Sequence, residues 1–147
     1  CLDIFAAKAE IRQIALRKDI PANLPFVHME ARHLSQLLTN LVGNALSYTL
    51  PGGHVWVKAG ASYEDPHASV WLQVVDSGLG IDQADIPFLF DRFFRGEQVQ
   101  SRGIPGTGLG LAICQEIVKR YNGRIEVSSS IGQGTTFVVW LPVAPRE

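Results

Sequence analysis

Gly103-Ile-Pro-Gly-Thr-Gly-Leu-Gly-Leu111 runs directly into an apolar helical pattern that continues through Ala112, Ile113, Ile117, Val118 and Tyr121. Four glycines and a proline within eight residues cannot form regular structure, and each glycine costs backbone entropy on ordering. A chain accepts that cost where its backbone must approach something closely. Because the stretch ends at a helix start, free amide N–H groups and the positive dipole end face whatever sits there, and an anion is the natural guest. Taken alone, the same residues read equally well as a flexible loop that happens to precede a helix.

The chain has 147 residues, 46% hydrophobic and 18% charged, enough for one domain with one core, and residues 1–147 are expected to form a single domain. A formal net charge of −1 gives no electrostatic reason to expect nucleic acid or a membrane surface as partner. Cys1 and Cys114 read as a terminal thiol and a buried reduced one, which suits a reducing, cytoplasmic setting. No apolar run is long enough to span a bilayer. The first residue is not Met, so the chain is expected to be a fragment of a longer protein, with anchoring of that full-length protein in the inner membrane left open.

Outward from the glycine stretch, hydrophobic periodicity predicts helices over Leu2–Arg12, with Ile4, Phe5, Ala9 and Ile11 as packing residues, over Glu30–Tyr48 and over Leu109–Tyr121. The middle one is the strongest: Leu34, Leu37, Leu38, Leu41, Val42, Ala45 and Leu46 recur on one face. Strands are predicted at Gln13–Ile20, at His54–Ala59 with Ser69–Asp76 as a hairpin across the 61–67 connection, and at Arg124–Ser130 with Thr135–Leu141 as a second. Phe26–Met29 reads as a short extended piece, Gln83–Phe94 as helix-like, and Arg95–Thr107 as a mobile loop. Asn122-Gly123 is a good helix stop. The sum is an α+β fold, a mixed, mostly antiparallel sheet covered on one face by about three helices.

Three further groups carry chemistry. Asn40, Asn44 and Ser47 lie together at about 100–140° from the centre of the leucine stripe. Asparagine is a mediocre helix former; two on that border serve either as hydrogen-bond partners of adjacent loops or as hard, neutral oxygen ligands suited to Mg2+. Asp76-Ser-Gly-Leu-Gly-Ile81 places a carboxylate at a strand end, where it can accept from an exocyclic amine such as that of adenine; the plain alternative is an Asp-x-Gly turn. Phe88-Leu-Phe-Asp-Arg-Phe-Phe-Arg-Gly96 has four phenylalanines, expected in the core, and Arg92 and Arg95, which either reach phosphates or are solvated.

In order and spacing, Asn40-x-x-x-Asn44, Asp76-x-Gly-x-Gly80, the phenylalanine-rich stretch, Gly106-x-Gly-x-Gly110-Leu and Gly134-Thr135 together resemble the ATP-binding catalytic domain of bacterial sensor histidine kinases, over about Ile14–Pro142. The resemblance implies the two-layer α/β sandwich of the Bergerat type shared with gyrase, Hsp90 and MutL. It implies Asn44 as the Mg2+ ligand, with Asn40 and Arg95 completing the catalytic set. Asp76 would accept the adenine amino group, with Gly78, Gly80 and Ile81 beside the base, Thr135 near it through water and Tyr48 packed on the nucleoside. Gly106, Thr107, Gly108, Leu109 and Gly110 would shape the lid and cradle phosphates. Ser47 stands where the family usually has Lys or Arg; Arg102 in the lid is the candidate to compensate.

The implied activity is transfer of the γ-phosphoryl group of Mg-ATP to a histidine on a separate upstream dimerisation domain, in a homodimeric two-component sensor paired with a response regulator. His28, His33, His54 and His67 are not followed by an acidic residue, as the family's acceptor is, so this chain is not expected to phosphorylate itself. A hydrolase of the gyrase, Hsp90 or MutL type needs a general base where Asn40 stands, and an amide cannot take the proton. A non-catalytic docking module with the same fold is the third reading. The glycine spacing does not match Gly-x-Gly-x-x-Gly, and no Lys precedes Ser or Thr as a P-loop requires.

Overall fold

The computed structural model describes residues 4–63, 68–104 and 106–143. Readings that fell on Cys1, Leu2, His67 and Pro105 lie outside the described residues. In chain order the elements are α1 (Ile4–Ile11), β1 (Ala15–Asp19), α2 (Ala31–Tyr48), β2 (His54–Ser62), β3 (Ser69–Asp76), a single 3-10 turn (Ile86–Phe88), α3 (Glu97–Ser101), α4 (Gly110–Arg120), β4 (Arg124–Ser130) and β5 (Gly134–Pro142). The strands form one mixed sheet in the order β1-β2-β3-β5-β4; β1 runs parallel to β2 and every other pair is antiparallel. Chain order is broken once, because β5 sits between β3 and β4. The crossover from β3 to β4 therefore carries α3, α4 and the whole 77–109 segment over the end of the sheet where β3 stops.

Alternation decides which sheet face is covered. Val55, Val57 and Ala59 of β2, Leu72 and Val74 of β3, and Phe137, Val139 and Leu141 of β5 are buried, with half-buried residues between them. They meet Leu37, Leu38, Leu41, Val42, Ala45 and Leu46 of α2 and Ala112, Cys114, Ile117 and Val118 of α4 in one core. Helix α4 ends in a Schellman arrangement: the Gly123 N–H donates to the Val118 carbonyl at 2.9 Å and the Asn122 N–H to Lys119 at 3.1 Å. Asn122 takes the left-handed conformation (φ 59°), which its short amide side chain tolerates.

Among the described residues there are four α-helices, and three of them, α1, α2 and α4, pack against the strands, as expected. Other expectations need correction. In α1 only Phe5 and Ala9 are buried; Ile4 and Ile11 are exposed, because an eight-residue helix against α2 and the sheet edge has one narrow covered stripe. Ile20 falls after β1 and is exposed, since Pro21 ends the extended run. Leu34 is also exposed, burial along α2 beginning only at Leu37. Residues 26–29 form no strand, and Phe26 is exposed. The 83–94 stretch is a series of turns around the 3-10 segment, because Pro87 lacks the N–H that a continuing helix would need. The 95–107 loop contains α3, too short to leave a periodic trace. Of the four phenylalanines, Phe88 and Phe93 are exposed, while Phe90 packs against the core and sits edge-on to Phe137.

Candidate functional site

The site follows from one register pair. Asp76, the last residue of β3, lies opposite Thr135, the second of β5, and both are buried. The C-terminal half of α2 passes above them; the Leu79 N–H donates to the Tyr48 carbonyl at 3.1 Å and ties the turn after β3 to the helix end. Between α2, this strand end and the 94–111 segment lies a cavity of about 270 Å3. Its lining includes Asn40, Asn44, Ser47 and Tyr48 from α2, Asp76, Gly80, Ile81 and Thr135 from the strand ends, and Arg95, Gly106, Thr107, Gly108 and Gly110. Residues far apart in sequence thus share one space. Gly78 and Leu109 do not line it; Gly78 instead donates its N–H to Asp76 Oδ1 at 2.9 Å.

The two ends of the cavity differ in character. At the inner end, burial pushes the Asp76 carboxyl up from 3.8 to about 6, against the backbone N–H groups of Gly78 and Thr135, which favour the charged form. Leu79, Ile81, Leu89, Leu111 and Phe137 supply apolar walls of the cavity. Toward the lid, burial raises the Tyr48 hydroxyl, while the Arg95 guanidinium pulls it back. Arg95 itself donates to the Ile104 carbonyl across the lid. Arg102 is exposed and not part of the lining, so among the described residues Arg95 is the arginine in that wall. Arg92 is held on the outer surface by Glu116 at 2.6 Å.

The two asparagines part company. Asn40 donates from Nδ2 to the Gly110 carbonyl at 3.3 Å, bonding to an adjacent segment and joining α2 to the start of α4. The Asn44 carboxamide, half-buried in the same wall, has no hydrogen-bond partner among the described residues. Among the glycines that line the cavity, two are required by the backbone. Gly80 has φ +73° and a Cβ there would run into the Ser130 carbonyl; Gly108 has φ +76° and a Cβ would meet the Phe93 backbone. The Gly108 carbonyl accepts from the Phe93 N–H at 2.9 Å, fastening the phenylalanine stretch to the lid end. Sequence reasoning passed over Leu79, Asp82, Asp85, Phe94 and Val99, which also line the cavity. No pattern marks them, because they reach the cavity through turns and a five-residue helix.

A buried carboxylate at a strand end, an unpartnered amide and a glycine-bounded lid around one apolar cavity define a small-ligand domain of the two-layer α/β class. Residues 29–145 match the family model described as histidine kinase-, DNA gyrase B-, and HSP90-like ATPase. The chain belongs to that family. It is 36% identical over 146 residues to the sensor histidine kinase WalK of Bacillus subtilis (strain 168), covering 99% of this chain and 23% of that protein. It is 34% identical over 142 residues to the sensor protein SrrB of Staphylococcus aureus (strain NCTC 8325 / PS 47), covering 92% of this chain and 24% of that one. The chain thus spans about a quarter of the length of these curated relatives. Among solved structures, the catalytic domain of the histidine kinase ThkA superposes with a TM-score of 0.81 at 26% identity, over 98% of this chain and 90% of that one. Full-length ShkA in complex with AMPPNP gives 0.80 at 27% identity, over 98% of this chain and 28% of that one. No helix of the described residues is long and apolar enough to cross a membrane.

Proposed function

We propose that this chain is the catalytic domain of a two-component sensor kinase, binding Mg-ATP and donating its γ-phosphoryl group to a histidine on a separate dimerisation domain of the same protein. The observation that carries the reading is the buried Asp76 carboxylate sharing one apolar cavity with Asn44 and Arg95. Asp76 accepts the adenine amino group, and Tyr48 packs on the nucleoside. Gly106, Gly108 and Gly110 leave the lid backbone close to the phosphates, with Arg95 meeting their charge. The unpartnered Asn44 carboxamide fits a metal that takes neutral oxygens and keeps its remaining positions for water and phosphate. Mg2+, when bound, neutralises charge on the phosphates during transfer; the protein's part is positioning and electrostatics. A response regulator receives the phosphoryl group from the histidine, in the cytoplasm.

Hydrolysis is disfavoured by the same wall. Asn40 has no proton-accepting carboxylate and is engaged with Gly110, while Glu30 lies about 15 Å up the helix and is bonded to Arg32. Incubating the chain with γ-labelled ATP and Mg2+, alone and with the dimerisation domain of its full-length protein, tests the reading. Acid-labile label is expected on the added domain only. Label on this chain, steady-state turnover well above background, or no calorimetric binding of Mg-ATP would overturn it.

A further inference from the structure

Ser129 sits on β4, outside the cavity lining, yet its hydroxyl stands at the centre of three groups. The Ile81 N–H donates to Ser129 Oγ at 2.8 Å, Ser129 Oγ lies 2.9 Å from the Gly134 carbonyl, and it lies 2.8 Å from Thr135 Oγ1. A hydroxyl has one proton and two lone pairs. A carbonyl can only accept, so the Ser129 proton goes to Gly134. One lone pair takes the Ile81 N–H, and the other is filled only if Thr135 donates its own proton. All three contacts are satisfied in one arrangement alone, and in it the Thr135 hydroxyl has no proton left for the cavity that Thr135 lines.

We infer that Ser129 is a specificity-determining residue that turns the Thr135 hydroxyl into a pure acceptor, so that the inner end of the cavity selects a base edge bearing an amino group and rejects one bearing a carbonyl. Asp76 contributes the second acceptor beside it. The inference rests on the nucleotide reading above and adds a residue that touches no ligand. Thr135 without this constraint is indifferent, since a free hydroxyl rotates to give or take a proton. Ser129 also fixes Ile81 and the 130–134 turn, so it acts through position as well as through the proton count.

The test is calorimetric titration with ADP and with inosine 5′-diphosphate, whose base presents a carbonyl and a ring N–H where adenine has an amino group and a bare nitrogen. The native chain is expected to favour ADP by at least about a hundredfold. Ser129→Ala frees the Thr135 proton and narrows that ratio about tenfold, one hydrogen bond's worth. Thr135→Val narrows it too, and adding Ser129→Ala to that variant changes it no further. A Ser129→Ala chain that unfolds cooperatively and binds ADP with the native ratio overturns the inference while leaving nucleotide binding intact. If Ser129→Ala does not fold, Thr135→Val decides: a narrowed ratio supports the inference and an unchanged one overturns it. Failure of the native chain to bind ADP at all refutes the underlying reading instead.

Discussion

Replacing Asp76 by Asn separates what this carboxylate costs the fold from what it contributes to the site. Burial raises its value from 3.8 to about 6. At about 1.36 kcal/mol per unit, keeping the group ionised above pH 6 costs the folded state about 3 kcal/mol. An acid raised on folding holds its proton more tightly in the folded than in the unfolded chain. Its contribution to stability therefore grows as pH falls through 6 toward 3.8, and is lost as pH rises through 6. Between pH 7.5 and 5 the native chain regains about 1.4 kcal/mol through this residue, and the amide variant regains none. Against this, an amide accepts through one oxygen only, so one of the N–H groups of Gly78 and Thr135 loses a partner, at about 1–3 kcal/mol. The variant is thus expected to match or exceed the native chain in urea unfolding at pH 7.5 and to lose about 1.4 kcal/mol relative to it by pH 5. Affinity for ADP moves the other way at neutral pH. Loss of a charge-assisted hydrogen bond worth about 1.5–3 kcal/mol weakens binding roughly 10- to 150-fold. Parallel pH profiles for the two chains would refute the burial argument. Unchanged ADP affinity would refute the adenine assignment.

Three other outcomes are expected. Gly108→Ala forces a Cβ into a left-handed position against the Phe93 backbone; it should cost about 1–3 kcal/mol in urea unfolding and weaken nucleotide binding by displacing the lid end. Cys114 is buried and its thiol pushed up to about 12, so in a Cys1→Ser background no alkylation is expected until denaturant unfolds the chain. Labelling at native rates typical of free thiols would contradict that burial. Arg92→Ala removes only an exposed ion pair with Glu116; stability should change by less than about 1 kcal/mol and nucleotide affinity not at all, whereas a large affinity loss would bring Arg92 into the site.

Legibility in the sequence tracked how repetitive the physical constraint is. Helix α2 and strands β3, β4 and β5 were readable within a residue or so, because a long buried face repeats its period many times: Leu37 to Leu46 supply six fully or nearly buried positions. Phe88 to Gly96 defeated the same reasoning, since composition alone put four phenylalanines in the core. A turn series around Pro87 instead leaves Phe88 and Phe93 outside. The parallel pairing of β1 with β2 and the insertion of β5 between β3 and β4 are set by long-range packing, which no local pattern records.

The site divides along a different line. Residues whose type is odd for their place were visible: amides on the border of an apolar stripe, a carboxylate ending a strand, glycines before a helix. Residues whose type is ordinary were not. Ser129 is one serine in a run of three on an edge strand, and only the distances to Ile81, Gly134 and Thr135 reveal that its proton has one destination. The glycine stretch shows both cases at once. Its glycines announced a close backbone approach, but one of the approached groups is the chain itself. The positive φ of Gly108 is demanded by Phe93, and Gly110 offers its carbonyl to Asn40. A loop that looked built for an anion is also a clasp between α2, α4 and the phenylalanine stretch. The Phe93–Gly108 backbone bond closes the base of the 95–107 loop, and hydrogen exchange at the Phe93 amide is expected to slow when nucleotide is bound.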